Sequence, residues 1–142
     1  RSAWQDVGAR PPNLPAFRAR GGRMIVTHGL SDPVFAASDT LAWWDEVNAA
    51  QRGHAGQFVR VFPVPGMNHC GGGPATDQFD AFSALVAWVE HRHAPDRLLA
   101  TAGPGSPWPG RTRPLCPYPM VARPKSGAAG PDRSDTFACV RS

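Results

Sequence analysis

No run in the sequence approaches the roughly eighteen consecutive apolar residues that a bilayer-spanning helix needs, so no membrane partner is expected. Lysine is almost missing: Lys125 stands alone beside 14 arginines, and these are spread along the chain without a block of like charge. A protein that reads phosphate backbones clusters its cations and interleaves stacking aromatics. Here there is a single tyrosine, and the net charge of +4 describes a mildly basic, solvated surface, so nucleic acid is not an expected partner. Neither Cys-x-x-Cys nor His-x-x-x-His spacing occurs, which argues against zinc, and no metal or cofactor site is expected in this chain. No Lys-Ser or Lys-Thr pair directly follows the glycines at 71–73, so they are not expected to form a phosphate loop. A Gly-x-Ser-x-Gly elbow is missing too: Ser2, Ser31, Ser38, Ser83, Ser106, Ser126, Ser134 and Ser142 all lie outside such a motif. The first residues lack a signal-peptide layout, so the chain is expected to begin after a removed signal or within something longer.

Proline and glycine, by contrast, are plentiful at 16 and 15 residues and unevenly placed. Residues 1–22 hold Pro11, Pro12 and Pro15 with few apolar side chains, and read as a lead-in segment anchored by Leu14 and Phe17. Residues 23–99 carry the apolar periodicity and form the expected core. Residues 100–142 are rich in Pro and Gly; they read as a tail packed over the core in an extended course, pinned by Leu115, Tyr118 and Phe137.

Within the core, 24–27 is a short apolar run ended by His28-Gly29, the pattern of a buried strand followed by a sharp turn. From Ser38, available as the N-cap, Leu41, Trp44 and Val47-Asn48 share one helical face, and Gly53 is a natural stop. Residues 58–63 read as a second strand, rich in Val and Phe. Residues 77–93 read as a second helix with Phe79, Phe82, Leu85-Val86 and Val89 at helical spacing, closed by Pro95. The order predicts an α/β fold, a βαβα unit whose parallel strands are joined by a helical crossover.

Two side chains then stand just past strand ends, where open α/β sheets gather functional groups. Asp32 lies in the turn Ser31-Asp32-Pro33, and His69 lies in the loop Val64-Pro65-Gly66-Met67-Asn68-His69-Cys70-Gly71-Gly72-Gly73. An acid followed by a histidine is the second half of the Ser…Asp…His order of α/β-hydrolases. In that chemistry the carboxylate holds the imidazole in one tautomer and the imidazole takes a proton from a hydroxyl. Three cysteines leave one over. Cys116 and Cys139 suit a disulfide staple in a segment that builds little core, which favours an oxidising compartment. Cys70 is then a free thiol, a metal ligand, a nucleophile, or half of a bridge to a segment outside this chain.

Four phrases carry a resemblance: Arg20-Gly21-Gly22-Arg23-Met24-Ile25-Val26-Thr27-His28-Gly29-Leu30-Ser31-Asp32-Pro33, the loop 64–74, Ala94-Pro95-Asp96-Arg97, and Arg111-Thr112-Arg113-Pro114-Leu115-Cys116-Pro117-Tyr118-Pro119. In this order the chain resembles, from about residue 14 to 139, the C-terminal part of the tannase and feruloyl esterase family. The resemblance implies a carboxylic ester hydrolase acting on small aromatic, phenolic esters, with Asp32 as triad acid and His69 as base. It implies that Cys70 is bonded to a cysteine beside a serine carried by an N-terminal part lying outside these residues. It also implies calcium in a lid that is likewise outside them, and a secreted or periplasmic location. Lacking the nucleophilic serine, the oxyanion hole and the lid, the 142 residues alone are expected to be a fragment, inactive and prone to self-associate through apolar faces around Ile25, Val61, Phe79 and Val89. The alternative is a non-catalytic remnant or structural module of the same fold.

Overall fold

The computed structural model describes residues 14–128 and 130–142. In chain order they form α1 (Pro15–Ala19), β1 (Met24–Gly29), α2 (Ala37–Ala50), a 3-10 turn (Ala55–Gln57), β2 (Val59–Val64), β3 (Gln78–Phe79) and α3 (Ala81–His91). The chain continues with β4 (Leu98–Thr101), β5 (Thr112–Leu115), β6 (Met120–Pro124), a 3-10 turn (Ser134–Thr136) and β7 (Phe137–Arg141).

Strands β1 and β2 pair in parallel, Met24 opposite Val59 through Gly29 opposite Val64. A parallel pair needs a crossover of a dozen or more residues, and α2 with its flanking turns supplies it. The pleat sends alternate residues of β2 to opposite faces. On one face Val59 and Val61 meet Trp44 and Val47 of α2, and Trp44 Nε1 donates to the Val59 carbonyl at 3.3 Å. On the other face Phe62 and Val64 join Met67, Leu98, Ala100 and Leu115, with Ala81 and Ala84 of α3 against them. Phe58, Val59, Val61, Phe62 and Val64 are all buried to within 1% of full burial, so β2 is the spine of the molecule.

Several expectations change here. Ser38 is not the N-cap: α2 starts at Ala37 with Ala36 in the N-cap position, two residues before Ser38, and no side chain caps it. The second helix starts at Ala81, not at 77, because the carboxylate of Asp80 accepts the N–H of Ser83 at 2.8 Å and Gln78–Phe79 pair with β4. Its buried side is Ala81, Ala84, Leu85 and Trp88; Phe82 and Val89 are exposed at 76% and 55%. Apolar residues occupy more than one face of this helix, so period alone did not select which one turns inward. Val61 was expected at an open apolar face, but it is fully buried, because the tail returns over it: Tyr118 N–H donates to the Val61 carbonyl at 2.8 Å, and the Tyr118 ring meets Trp44 edge-on at 5.3 Å. Ile25 and Phe79 are half-buried.

The tail also has more regular structure than its prolines suggested. Strand β5 pairs antiparallel with β4, and β6 pairs antiparallel with β7. Pro114 is accommodated because β5 is the edge of the β3-β4-β5 sheet, where a missing N–H costs no ladder bond on the open side. Leu115 and Phe137 are buried at 2% and 8% exposure, and Leu14 and Phe17 pack onto the cluster around Phe58. The Cys116–Cys139 disulfide is present, closing a sequence separation of 23.

A cross-link of that span restricts the unfolded chain by about 3 kcal/mol. Replacing both Cys116 and Cys139 by Ser is expected to lower the unfolding free energy by about that amount in a denaturant titration, and an unchanged midpoint would show that the staple contributes nothing.

Candidate active site

The two loops that follow β1 and β2 are joined backbone to backbone before any functional side chain is reached. Leu30 N–H donates to the Val64 carbonyl at 3.0 Å, and Ser31 N–H to the Met67 carbonyl at 3.0 Å. Gly29 allows this contact: a Cβ there would lie 2.3 Å from the Met67 carbonyl oxygen and 2.4 Å from that of Asn68. The neck of the second loop is equally tight. A Cβ on Gly66, at φ +76°, would lie 2.3 Å from the Pro74 oxygen, and one on Gly73, at φ +84°, would lie 2.3 Å from the Gly66 oxygen. Both positions need a left-handed backbone and no side chain.

With the loops locked, Asp32 and His69 face each other although they are 37 residues apart. His69 Nδ1 lies 2.8 Å from Asp32 Oδ2. The other carboxylate oxygen, Oδ1, accepts the N–H groups of Val34 at 2.7 Å and Phe35 at 3.0 Å, an Asx-type turn that fixes the rotamer. The Asp32 side chain is 4% exposed and that of His69 is 45% exposed, so the acid is enclosed while the imidazole reaches solvent. Burial raises the Asp32 carboxyl pKa, but the His69 hydrogen bond and the N–H groups of Phe35 and Val34 outweigh it and lower the pKa to about 2. Asp32 is therefore an anion at any physiological pH. An anion accepts only, so Nδ1 carries the proton and Nε2 of the neutral ring keeps its lone pair. Among the described residues no hydrogen bond is made to His69 Nε2.

Two residues enter the site that the sequence reading did not place there. The Phe35 ring lies 5.5 Å from the His69 ring at a tilt of 52°. His28, read from sequence as part of a turn, has Nε2 3.2 Å from the Phe35 carbonyl and 3.4 Å from Asp32 Oδ2. A carbonyl only accepts, so Nε2 carries the His28 proton and Nδ1, 2.8 Å from Thr40 Oγ1, accepts that hydroxyl's proton. The spacing of His28 four residues before Asp32 was the available signal. Asp77 supports the loop, its Oδ2 accepting the Gly72 N–H at 2.7 Å, and Asp39 lies in the first turn of α2. Cys70, next to His69, is an exposed free thiol on a left-handed backbone at φ 61°. Among the described residues no group of three or more His, Cys, Asp or Glu could hold a metal ion, and no helix is long and apolar enough to cross a membrane.

An enclosed anion orienting an accessible imidazole is an acid–base pair that can activate a hydroxyl or a water. Comparison with known proteins gives this geometry a context. Residues 3–140 match the family described as Tannase and feruloyl esterase. A mono(2-hydroxyethyl) terephthalate hydrolase of Piscinibacter sakaiensis is 51% identical over 139 residues, covering 94% of this chain and 22% of that protein. A probable feruloyl esterase of Arthroderma benhamiae is 32% identical over 140 residues, covering 95% of this chain and 26% of the relative. Among solved structures, an esterase from Aspergillus oryzae superposes with a TM-score of 0.79 at 24% identity, over 92% of this chain and 30% of the other, a likeness of fold. The chain thus spans between a fifth and a third of the length of these proteins. A mixed α/β chain with this match along almost its whole length belongs to the tannase and feruloyl esterase family.

Proposed function

We propose that this chain supplies the acid and the base of a carboxylic ester hydrolase that acts on small aromatic, phenolic esters. The observation that carries the reading is the 2.8 Å contact between His69 Nδ1 and Asp32 Oδ2, with Nε2 accessible. In this reading a serine hydroxyl, supplied by a part of the protein beyond these residues, is presented to His69 Nε2. The imidazole takes the hydroxyl proton as the oxygen attacks the ester carbonyl, and returns it to the departing alcohol; water then repeats the cycle on the acyl-enzyme. Asp32 stays ionised throughout and stabilises the imidazolium that forms in each half. The Phe35 ring beside His69 gives the entrance an apolar wall suited to an aromatic ester. The chain is read as the C-terminal βαβα part of an α/β-hydrolase sheet with its disulfide-pinned tail, in a secreted or periplasmic protein. Calcium, which the family resemblance places in a lid, finds no ligand cluster among the described residues, and no step here uses it. Cys70, exposed and next to the base, is proposed to bond a cysteine beside the serine, tying base and nucleophile together.

Three outcomes test this reading in the full-length protein. His69→Ala is expected to lower turnover of a phenolic ester on the order of a thousandfold, with His28→Ala costing far less; equal losses would remove the assignment, and full activity of His69→Ala would favour a non-catalytic remnant. The Asp32 carboxyl pKa is lowered from 3.8 to about 2, so its contribution to stability is present above pH 4 and lost as the pH falls toward 2. Acid unfolding followed by circular dichroism should therefore be less steep in that window for Asp32→Asn, and identical profiles would show the pair to be uncoupled from folding. Finally, Cys70 should resist alkylation until reductant is added, whereas a thiol that reacts at once in the native protein contradicts the bridge.

A further inference from the structure

At the other end of the β1–β2 pair, about 20 Å away along six residues of strand, arginines converge on one indole. Arg23 immediately precedes β1, and Arg60, opposite Ile25, is the second residue of β2. Their guanidinium carbons lie 5.9 Å and 5.4 Å from the centre of the Trp88 ring. Trp88 is 3% exposed, so it is the fixed wall against which both cations are held. Arg92, one helical turn beyond Trp88, and His54, from the turn after α2, complete the lining of a cavity of about 460 Å³.

The charges around this cavity are poorly compensated. Arginine stays protonated at every accessible pH, so three positive charges surround the space. Among the described residues, the ion pair these guanidinium groups make is Arg60 Nη1 to Asp96 Oδ1 at 3.1 Å, and the Asp96 side chain is 93% exposed. Water screens a pair of that kind almost completely. Loop carbonyls anchor two of the heads. Arg23 Nη1 donates to the Gly21 and Gly22 oxygens at 2.9 and 3.0 Å. Arg60 donates to the Gly56 oxygen at 3.2 Å and the Pro95 oxygen at 2.6 Å. Anchoring does not use up the donors: Arg23 Nε is buried with no hydrogen-bond partner, and among the described residues Arg92, which is exposed, makes no side-chain hydrogen bond or ion pair.

We propose that this cavity binds a tetrahedral oxyanion of phosphate or sulfate type, either free or as an ester group on a larger molecule, held by Arg23, Arg60 and Arg92. An oxyanion relieves the mutual repulsion of cations held at one indole. The planar guanidinium fork matches its paired oxygens. The site lies apart from Asp32 and His69 and does not depend on the ester-hydrolase reading.

The test is calorimetric titration of the full-length protein at low ionic strength with inorganic phosphate and, separately, with glycerol 2-phosphate. Arg92→Gln is the diagnostic variant because the Arg92 side chain is exposed and makes no hydrogen bond or ion pair among the described residues, while its backbone N–H, which caps α3 on Ala87, is kept by the substitution; Lys125→Gln is the control for general charge. The expected result is saturable phosphate binding that weakens about tenfold in Arg92→Gln, is unchanged in Lys125→Gln, and leaves ester hydrolysis at the wild-type rate in both. Glycerol 2-phosphate binding as well as phosphate supports the site and identifies an ester group as its ligand, and its exclusion supports the site with a free anion as the ligand. No saturable heat, or equal weakening in Arg92→Gln and Lys125→Gln, overturns the proposal.

Discussion

The architecture turns on the parallel register of two six-residue strands, and on one glycine at its end. Gly29 closes β1 opposite Val64, and its missing side chain lets the following turn sit directly on the backbone of Met67 and Asn68. Two hydrogen bonds, from Leu30 and Ser31, then fasten one loop to the other. Everything that distinguishes the site depends on this contact. Asp32 and His69 meet at 2.8 Å because their parent loops are already joined, and neither side chain has to hold the loops together by itself.

Burial of β2 on both faces keeps that register in place. Helix α2 and Tyr118 cover one face, and α3 with β4 and β5 covers the other. A parallel strand gains most of its stability from being covered on both sides. The tail therefore contributes to the core as well as decorating it: Leu115 enters one cluster and Tyr118 the other, and the Cys116–Cys139 bridge ties the segment between them to β7. A one-residue slip of β2 would exchange Val61 with Phe62 across the sheet and break both clusters at once.

The electrostatics divide between the two ends of the strand pair. At the carboxyl ends an enclosed anion, Asp32, is surrounded by donors: two backbone N–H groups, His69 and the nearby His28. At the amino ends Arg23 and Arg60 lie against Trp88 with one exposed carboxylate nearby. The first arrangement is satisfied within the chain and orients the His69 imidazole, whereas the second leaves donors unpaired.

By itself the sequence determined a mixed α/β chain, the positions of Asp32 and His69 just past strand ends, and the Cys116–Cys139 pairing. These follow from local period, turn residues and cysteine spacing, which are properties of neighbouring residues. The four motif phrases also sufficed to place the chain in its family, as residues 3–140 bear out. Only the tertiary structure decided which face of α3 turns inward, because Phe82 and Val89 are as apolar as Leu85 and Trp88 and their burial depends on what lies opposite. The same holds for Val61, covered by Tyr118 more than fifty residues later in the chain, and for Pro114, admitted to a strand by an edge position that local pattern does not reveal. His28 and Phe35 joined Asp32 and His69 for a similar reason. Contacts across a turn depend on where the chain points after folding, and the four-residue spacing of His28 and Asp32 allows such a contact without fixing its direction.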